Sequence, residues 1–392
     1  MKSFELILSV AVFCLFAKAL SAQPTLREAY EKHFLIGVAL SEAHYTGEDP
    51  EVSQLITSEF NTVTAEVAMK WKYLHPHEDV YTFESADRFV EFGETNGMAI
   101  IGHTLIWHND TPDWVFLDDE GAQVDRETLL KRMRDHIHTV MGHYRGRVKG
   151  WDVVNEALEW NGEFRDCPWL RIIGEDYLIR AFEFAREADP DAELYYNDFG
   201  LENEEKRIGA LRLLRRLKDE GILPDGIGIQ GHVNLNWPSA QQLEDTLNDF
   251  AAEGVKVMIT EMDVDVLPSG RKTEMVDADA TRRQEASSQL NPYQEGLPEE
   301  KQQELATRYA ELFSIYLRHS DTIDRITFWG LGDGESWLNE FPIEGRTNYP
   351  LLFDRKLKKK PAYYSVISAA QTLTDSPSDD KHQRTASADD TE

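Results

Sequence analysis

Between Phe34 and Leu331 the chain changes period again and again, and this alternation limits the fold more than any single motif. Strand-like runs, apolar and rich in β-branched residues, cover 34–40, 62–68, 99–105, 148–154, 193–199, 226–233, 256–264 and 325–331. Helical patterns lie between them, among them 126–143, 175–188, 204–220, 240–252 and 298–319, and 361–370 closes the series. Eight strands alternating with eight helices predict an α/β chain folded as one (β/α)8 TIM barrel. An open doubly wound sheet is the competing fold. It requires a switch point and a Gly-rich phosphate turn, and the sequence has neither.

A hydrophobic fraction of 41% in 392 residues is enough for one large core. Residues 1–22 stand outside it. Lys2, an apolar run from Leu6 to Phe16 and the small residues Ala19-Leu20-Ser21-Ala22 have the layout of a secretory signal peptide, cut after Ala19 or Ala22. The run is too short to span a bilayer. The expectation is a secreted protein, extracellular or periplasmic, with no membrane span in the mature chain. Residues 23–372 then form the barrel domain, and 373–392, low in apolar residues, a disordered acidic tail. Segment 267–296 is polar and reads as a long loop over the barrel mouth.

Cys14 leaves with the signal and Cys167 is then alone, so no intramolecular disulfide can form. The net charge of −30 repels phosphate backbones, which excludes a nucleic-acid partner. A neutral polymer meets no such barrier. The mature chain is expected to be a monomer.

In a barrel of this kind the site is built at the C-terminal ends of the strands. Those ends carry Glu66 and Lys70, then His103, Trp107 and His108, then Asn155 and Glu156, then Asn197 and Asp198. Gln230 and His232, Glu261 and Asp263, and Trp329 follow, with Trp337 in the loop beyond. A carboxylate is costly to bury without partners, and here two apolar strands each end on one. Trp151-Asp152-Val153-Val154-Asn155-Glu156-Ala157 is the first and Val257-Met258-Ile259-Thr260-Glu261-Met262-Asp263 the second. Two such groups are the equipment for glycoside hydrolysis. His232, held by Asp263, can keep Glu261 oriented and charged. Glu156 takes the acid/base role, its proton held at rest by the neighbouring negative charge. Asn155 suits a sugar hydroxyl, and Trp329 and Trp337 offer flat faces to pyranose rings. His75-Pro76-His77 and His136-Ile137-His138 have metal-like spacing, but no Cys pair or His-Glu-x-x-His accompanies them, so no metal or other cofactor is expected.

Five stretches resemble the family 10 glycoside hydrolases: 151–157, 259–264, Gly102 to His108, Gly228 to His232 and Thr327 to Gly330. The resemblance covers about residues 30 to 370, in family order. It implies a retaining endo-1,4-β-xylanase on a (β/α)8 barrel, with a xylan or related β-glycan as polysaccharide substrate. Glu156 would be the acid/base and Glu261 the nucleophile, with His232, Asp263 and Asn155 in support. Glu66, Lys70, His103, Trp107, Asn155, Gln230, His232, Trp329 and Trp337 would contact sugar. Val67 and Asp110 depart from the family pattern where it has amides, on the side gripping the non-reducing sugars, and Phe199 stands where Tyr is common. A shifted or decorated substrate is therefore the alternative. A glycan-binding barrel that no longer cleaves is a second, disfavoured because binding alone needs neither carboxylate.

Overall fold

A computed structural model describes residues 23–268 and 289–374. The expected signal peptide, most of the expected mouth loop and the tail lie outside the described residues.

Nine strands are all parallel: β1 Leu35–Leu40, β2 Thr62–Ala65, β3 Ala99–Ile106, β4 Gly150–Asn155, β5 Glu193–Asp198, β6 Gly226–Ile229, β7 His232–Asn234, β8 Lys256–Asp265 and β9 Ile323–Phe328. Each of β1 to β5 pairs with its successor, β9 pairs with β1, and β6 pairs across to β8, which closes the ring. Strands β6 and β7 both lie on β8 and together fill one barrel position, so the barrel has the expected eight. The sequence predicts 226–233 as one strand. It is broken at Gln230 and Gly231 because Gly231 adopts φ 77°, left-handed geometry that a regular strand cannot contain.

A helix follows each barrel position: Pro50–Glu59, Glu84–Thr95, Arg126–His143, Tyr177–Ala188, Glu204–Asp219, Ala240–Glu253, Glu299–Arg318 and Pro361–Thr374. Their starts are encoded locally. Asp125 accepts from the Thr128 amide at 2.8 Å, and Ser239 and Gln242 form a capping box. The last helix runs to Thr374, so it crosses the boundary expected at 372.

Helices and strands enclose one continuous apolar core. Inside the ring Ile101, Tyr195 and Met258 make a separate small cluster, with the Arg325 guanidinium 4.7 Å from the Tyr195 ring centre. Cys167 is buried and free. No described helix is long and apolar enough to cross a membrane.

Where β3 meets β4, Gly102 lies opposite the buried ring of Trp151, and a Cβ there would sit 2.1 Å from that ring. Gly102→Ala is therefore expected to destabilise the barrel by roughly 1–3 kcal/mol through overpacking. Urea unfolding should show a lower midpoint at unchanged slope. An unchanged midpoint would mean that the Trp151 ring is free to move aside.

Candidate active site

Glu261 is in the upper half of β8, 5% exposed. Its Oε2 is 3.1 Å from His232 Nε2, and His232 Nδ1 is 3.0 Å from Asp263 Oδ2. Trp337 Nε1 donates to the same Asp263 oxygen at 2.8 Å, and its ring leans on His232 at 4.8 Å. Burial alone would lower His232, but the Asp263 and Glu261 carboxylates overcome it and raise the imidazole to about 10. The ring is thus doubly protonated at neutral pH and donates to both carboxylates. Burial likewise works against the charge of Glu261. The hydrogen bond from His232, the charge of His103 and the 2.8 Å hydrogen bond from Asn197 Nδ2 win, and its carboxyl lies below the ordinary value.

Glu156 follows β4 at φ 56°, a left-handed backbone that costs a residue with a side chain roughly 1–3 kcal/mol. Its amide donates to Asn197 O at 2.9 Å and its carbonyl accepts from Arg165 Nε at 3.0 Å, which hold the turn. Its carboxylate accepts from Trp107 Nε1 at 3.0 Å through Oε2 and from Gln230 Nε2 at 3.0 Å through Oε1. The Asn155 amide lies between Asn197 and Gln230, at 2.9 and 3.3 Å. Asn197 therefore reaches both Asn155 and Glu261, and Thr260 Oγ1 fixes its other end at 2.6 Å. One carboxyl held charged by a cation and a second held by neutral donors is a pair able to act on an acetal.

The remaining expected residues surround this pair. His103 Nδ1 is 2.9 Å from the buried Asp152, and Trp329, 8% exposed, meets His103 edge-on at 5.3 Å. Lys70 Nζ lies 4.8 Å over the Trp107 ring and 3.5 Å from Asp110 Oδ2. Asp110 thus does more than remove an amide, since its charge engages that lysine. Glu66 is raised by burial, with Lys70 pulling the other way. His108 is lowered by burial, against the charge of Glu156. At the end of β5, Asp198 is fully buried against Lys206 Nζ at 2.7 Å, and burial lifts it to about 6.

The two His pairs with metal-like spacing do not act as pairs. His75 and His136, one from each, meet at 3.3 Å inside a ring stack between Tyr81 and Trp71. No group of three or more His, Cys, Asp or Glu among the described residues could hold a metal. Sequence reasoning missed Arg165, which holds the Glu156 backbone, and Asp152 and Thr260, which reach the site through His103 and Asn197. It also missed Trp160 and Trp237, on loops after β4 and β7. Trp160, four residues past Glu156, is 52% exposed, which only the structure reveals.

A profile of Glycosyl hydrolase family 10 matches residues 25–369. Endo-1,4-beta-xylanase A of Xylanibacter ruminicola is 43% identical, over 88% of this chain and 93% of its own. Beta-1,4-xylanase of Dictyoglomus thermophilum is 40% identical, over 88% and 90%. Among solved structures, an endoxylanase from a sugarcane soil metagenome superposes with TM-score 0.83 at 43% identity, covering 88% of this chain and 99% of that one. Xylanase XynB of Paenibacillus barcinonensis, complexed with a conduramine derivative, gives 0.78 at 37%, over 88% and 98%.

The ion chain has a pH signature. Glu261, held below its ordinary value, contributes stability above the unfolded carboxyl range and loses it as pH falls through the folded value. His232 contributes fully below ~6.5 and loses that contribution as pH rises toward about 10. Both contributions are whole only between ~4.3 and ~6.5. Urea unfolding of the parent and His232→Ala should differ most in that window, and the gap should narrow on both sides. In the variant the Glu261 carboxyl, followed by carbon-13 NMR, should titrate at higher pH because burial is then opposed only by His103 and Asn197. If it titrates where the parent does, His232 is not what keeps it charged.

Proposed function

This chain belongs to glycosyl hydrolase family 10, and from that premise we propose that it is a retaining endo-1,4-β-xylanase acting on internal bonds of xylan. The observation that carries the reading is the pair of carboxyls in unlike surroundings, Glu261 against the charged His232 and Glu156 against the neutral Trp107 and Gln230.

In the first step a Glu261 oxygen bonds to the anomeric carbon as the glycosidic C–O bond breaks, and Glu156 gives its proton to the departing oxygen. Glu261 is then an ester and Glu156 a carboxylate. Water next attacks the same carbon, Glu156 takes its proton, and the ester bond breaks to return Glu261 as the anion. One water is consumed and the anomeric configuration is kept. His232 keeps the nucleophile charged before attack, and Asn197 and Asp263 fix the two ends of that chain. Asn155 is placed to meet a hydroxyl beside the reacting carbon. Glu66, Lys70, His103, Trp107, Gln230, Trp329 and Trp337 line the subsites. A monomer exported by the 1–22 segment completes the proposal.

A decorated or otherwise altered β-glycan is the second reading. Two observations favour it: the Lys70–Asp110 ion pair, and a cavity of about 450 Å³ lined by Val67, Tyr73, Ser85 and Arg88 beside the ends of β1 and β2. The double variant Val67→Asn with Asp110→Gln tests it. Freeing Lys70 and restoring two amides should raise kcat/KM on xylotriose-sized substrates roughly 5- to 150-fold, at about 1 kcal/mol or more per hydrogen bond. No gain would remove these positions from specificity.

For the mechanism, Glu261→Ala should leave the fold intact and reduce xylan hydrolysis to background. Azide should restore turnover with inverted product, because a small anion can fill the vacated face. Proton NMR of the parent reaction should show the β-anomer first. An α-anomer first would rule out double displacement.

A further inference from the structure

Trp160 is unusual for its size and place: it is 52% exposed, yet its ring is packed on several neighbours. It occupies a tight turn between the bridged residues Leu158 and Phe164, where the Gly162 amide donates to Glu159 O at 2.9 Å. That turn is pressed onto the helix Glu204–Asp219. A Cβ on Gly162 would lie 2.3 Å from Glu205 O, one on Gly209 would lie 2.3 Å from Gly162 O, and Arg212 donates to Gly162 O at 2.9 Å. The indole itself rests on Gly200, whose Cβ would come within 2.5 Å of it. Phe199 meets it edge-on at 5.3 Å and Trp237 at 6.3 Å. Lys206 lies beneath, 3.3 Å from the Phe199 ring centre and 5.6 Å from that of Trp160. The indole is therefore packed against protein from several directions while about half of the residue stays in water.

An exposed aromatic ring packed on so many neighbours has less side-chain freedom to lose when it binds. Its position says what it would bind. Glu66, Lys70 and Trp107 lie at the ends of β2 and β3, whereas Trp160, Phe199 and Trp237 follow β4, β5 and β7, on the arc that continues around the mouth from β3 away from β2. A glycan threaded past Lys70 and over Glu156 and Glu261 leaves the cleft across this arc, on the side of the leaving group. Resting on the xylanase reading above, we propose that Trp160 is a distal stacking platform for neutral pyranose rings on the reducing-end side of the cut, with Phe199 and Trp237 as its supports. The ring face meets the C–H face of a sugar, an apolar contact that needs no charge and suits a neutral chain on so acidic a protein.

The test compares two substrates in one enzyme. Xylohexaose can reach the platform, whereas an aryl β-xylobioside places only its aryl group beyond the cut. The ratio of kcat/KM on the hexaose to that on the aryl glycoside should fall roughly 2- to 10-fold in Trp160→Ala. The loss should be carried by KM, and cleavage of the hexaose should shift toward bonds that leave fewer sugars on the reducing side. Trp160→Phe, which keeps a ring, should restore most of the ratio. A ratio unchanged in the alanine variant overturns the proposal. So does an equal loss on both substrates, which would mark a structural role, or a phenylalanine variant as impaired as alanine. If the parent cleaves neither xylan nor its oligomers, the xylanase reading fails. The same ratio is then measured on oligomers and the aryl glycoside of the β-glycan it does cleave, and Trp160 is judged on that.

Discussion

The chain of charges Asp263, His232, Glu261 is the constraint on which the rest of the mouth depends. Two buried carboxylates this near each other would repel and be driven to take up protons. One imidazolium between them, 3.0 Å from one and 3.1 Å from the other, makes the arrangement tolerable. Its demands spread outward. The break at Gly231 separates β6 from β7 and sets His232 beside Asp263 in the register of β7 on β8. Trp337 donates to the oxygen of Asp263 that His232 also uses, so the loop after β9 is tied to the same centre. Asn197 from β5 and Thr260 from β8 close it from the opposite side. Each of these groups is tied to its neighbours by one or more hydrogen bonds.

A second centre is built on strain. Glu156 sits in left-handed backbone, held there by Asn197 O, Arg165 and the packing of the Leu158–Phe164 turn. Strain of this kind persists only where surrounding structure over-determines it, and here three elements do. The same turn carries Trp160, so what aims the carboxylate also fixes the far edge of the mouth. Beneath it, Lys206 and Asp198 are both buried completely, 2.7 Å apart. Removing either would leave an unpaired buried charge, costing roughly 3–5 kcal/mol.

Most of the architecture was legible in the sequence because its signals are local. β-Branched runs, 3.6-residue periods and capping residues such as Asp125 and Ser239 act within a few positions. Strand ends also pointed to polar and aromatic residues that the barrel gathers on one face. Two kinds of feature escaped. The break at Gly231 depends on a backbone angle that apolar patterning does not report. The partners of the site, Asp152 behind His103 and Arg165 behind Glu156, are chosen by three-dimensional proximity, and neither spacing nor residue type marks them. The histidine pairs, set aside as metal ligands in the sequence, show the converse. Spacing along the chain suggested His75 with His77, but folding set His75 against His136, 61 residues away, in an aromatic stack.

What separates the two carboxyls is the kind of donor each receives, rather than the number. Glu261 accepts from the cation His232 and from the Asn197 amide, and it is more deeply buried than Glu156. Burial opposes its charge, and the hydrogen bond from His232 is the largest of the effects that overcome it. Glu156 accepts from an indole and an amide, both neutral. Neutral donors tolerate a change of protonation that a fixed cation would resist. Gln230 is suited to follow such a change, because a carboxamide has a donor and an acceptor at equal reach and can turn over to meet either form of its partner. Trp107 cannot, since its indole only donates. Under the proposed double displacement, a proton on Glu156 would therefore belong on the Oε1 side that faces Gln230, with Oε2 held by Trp107.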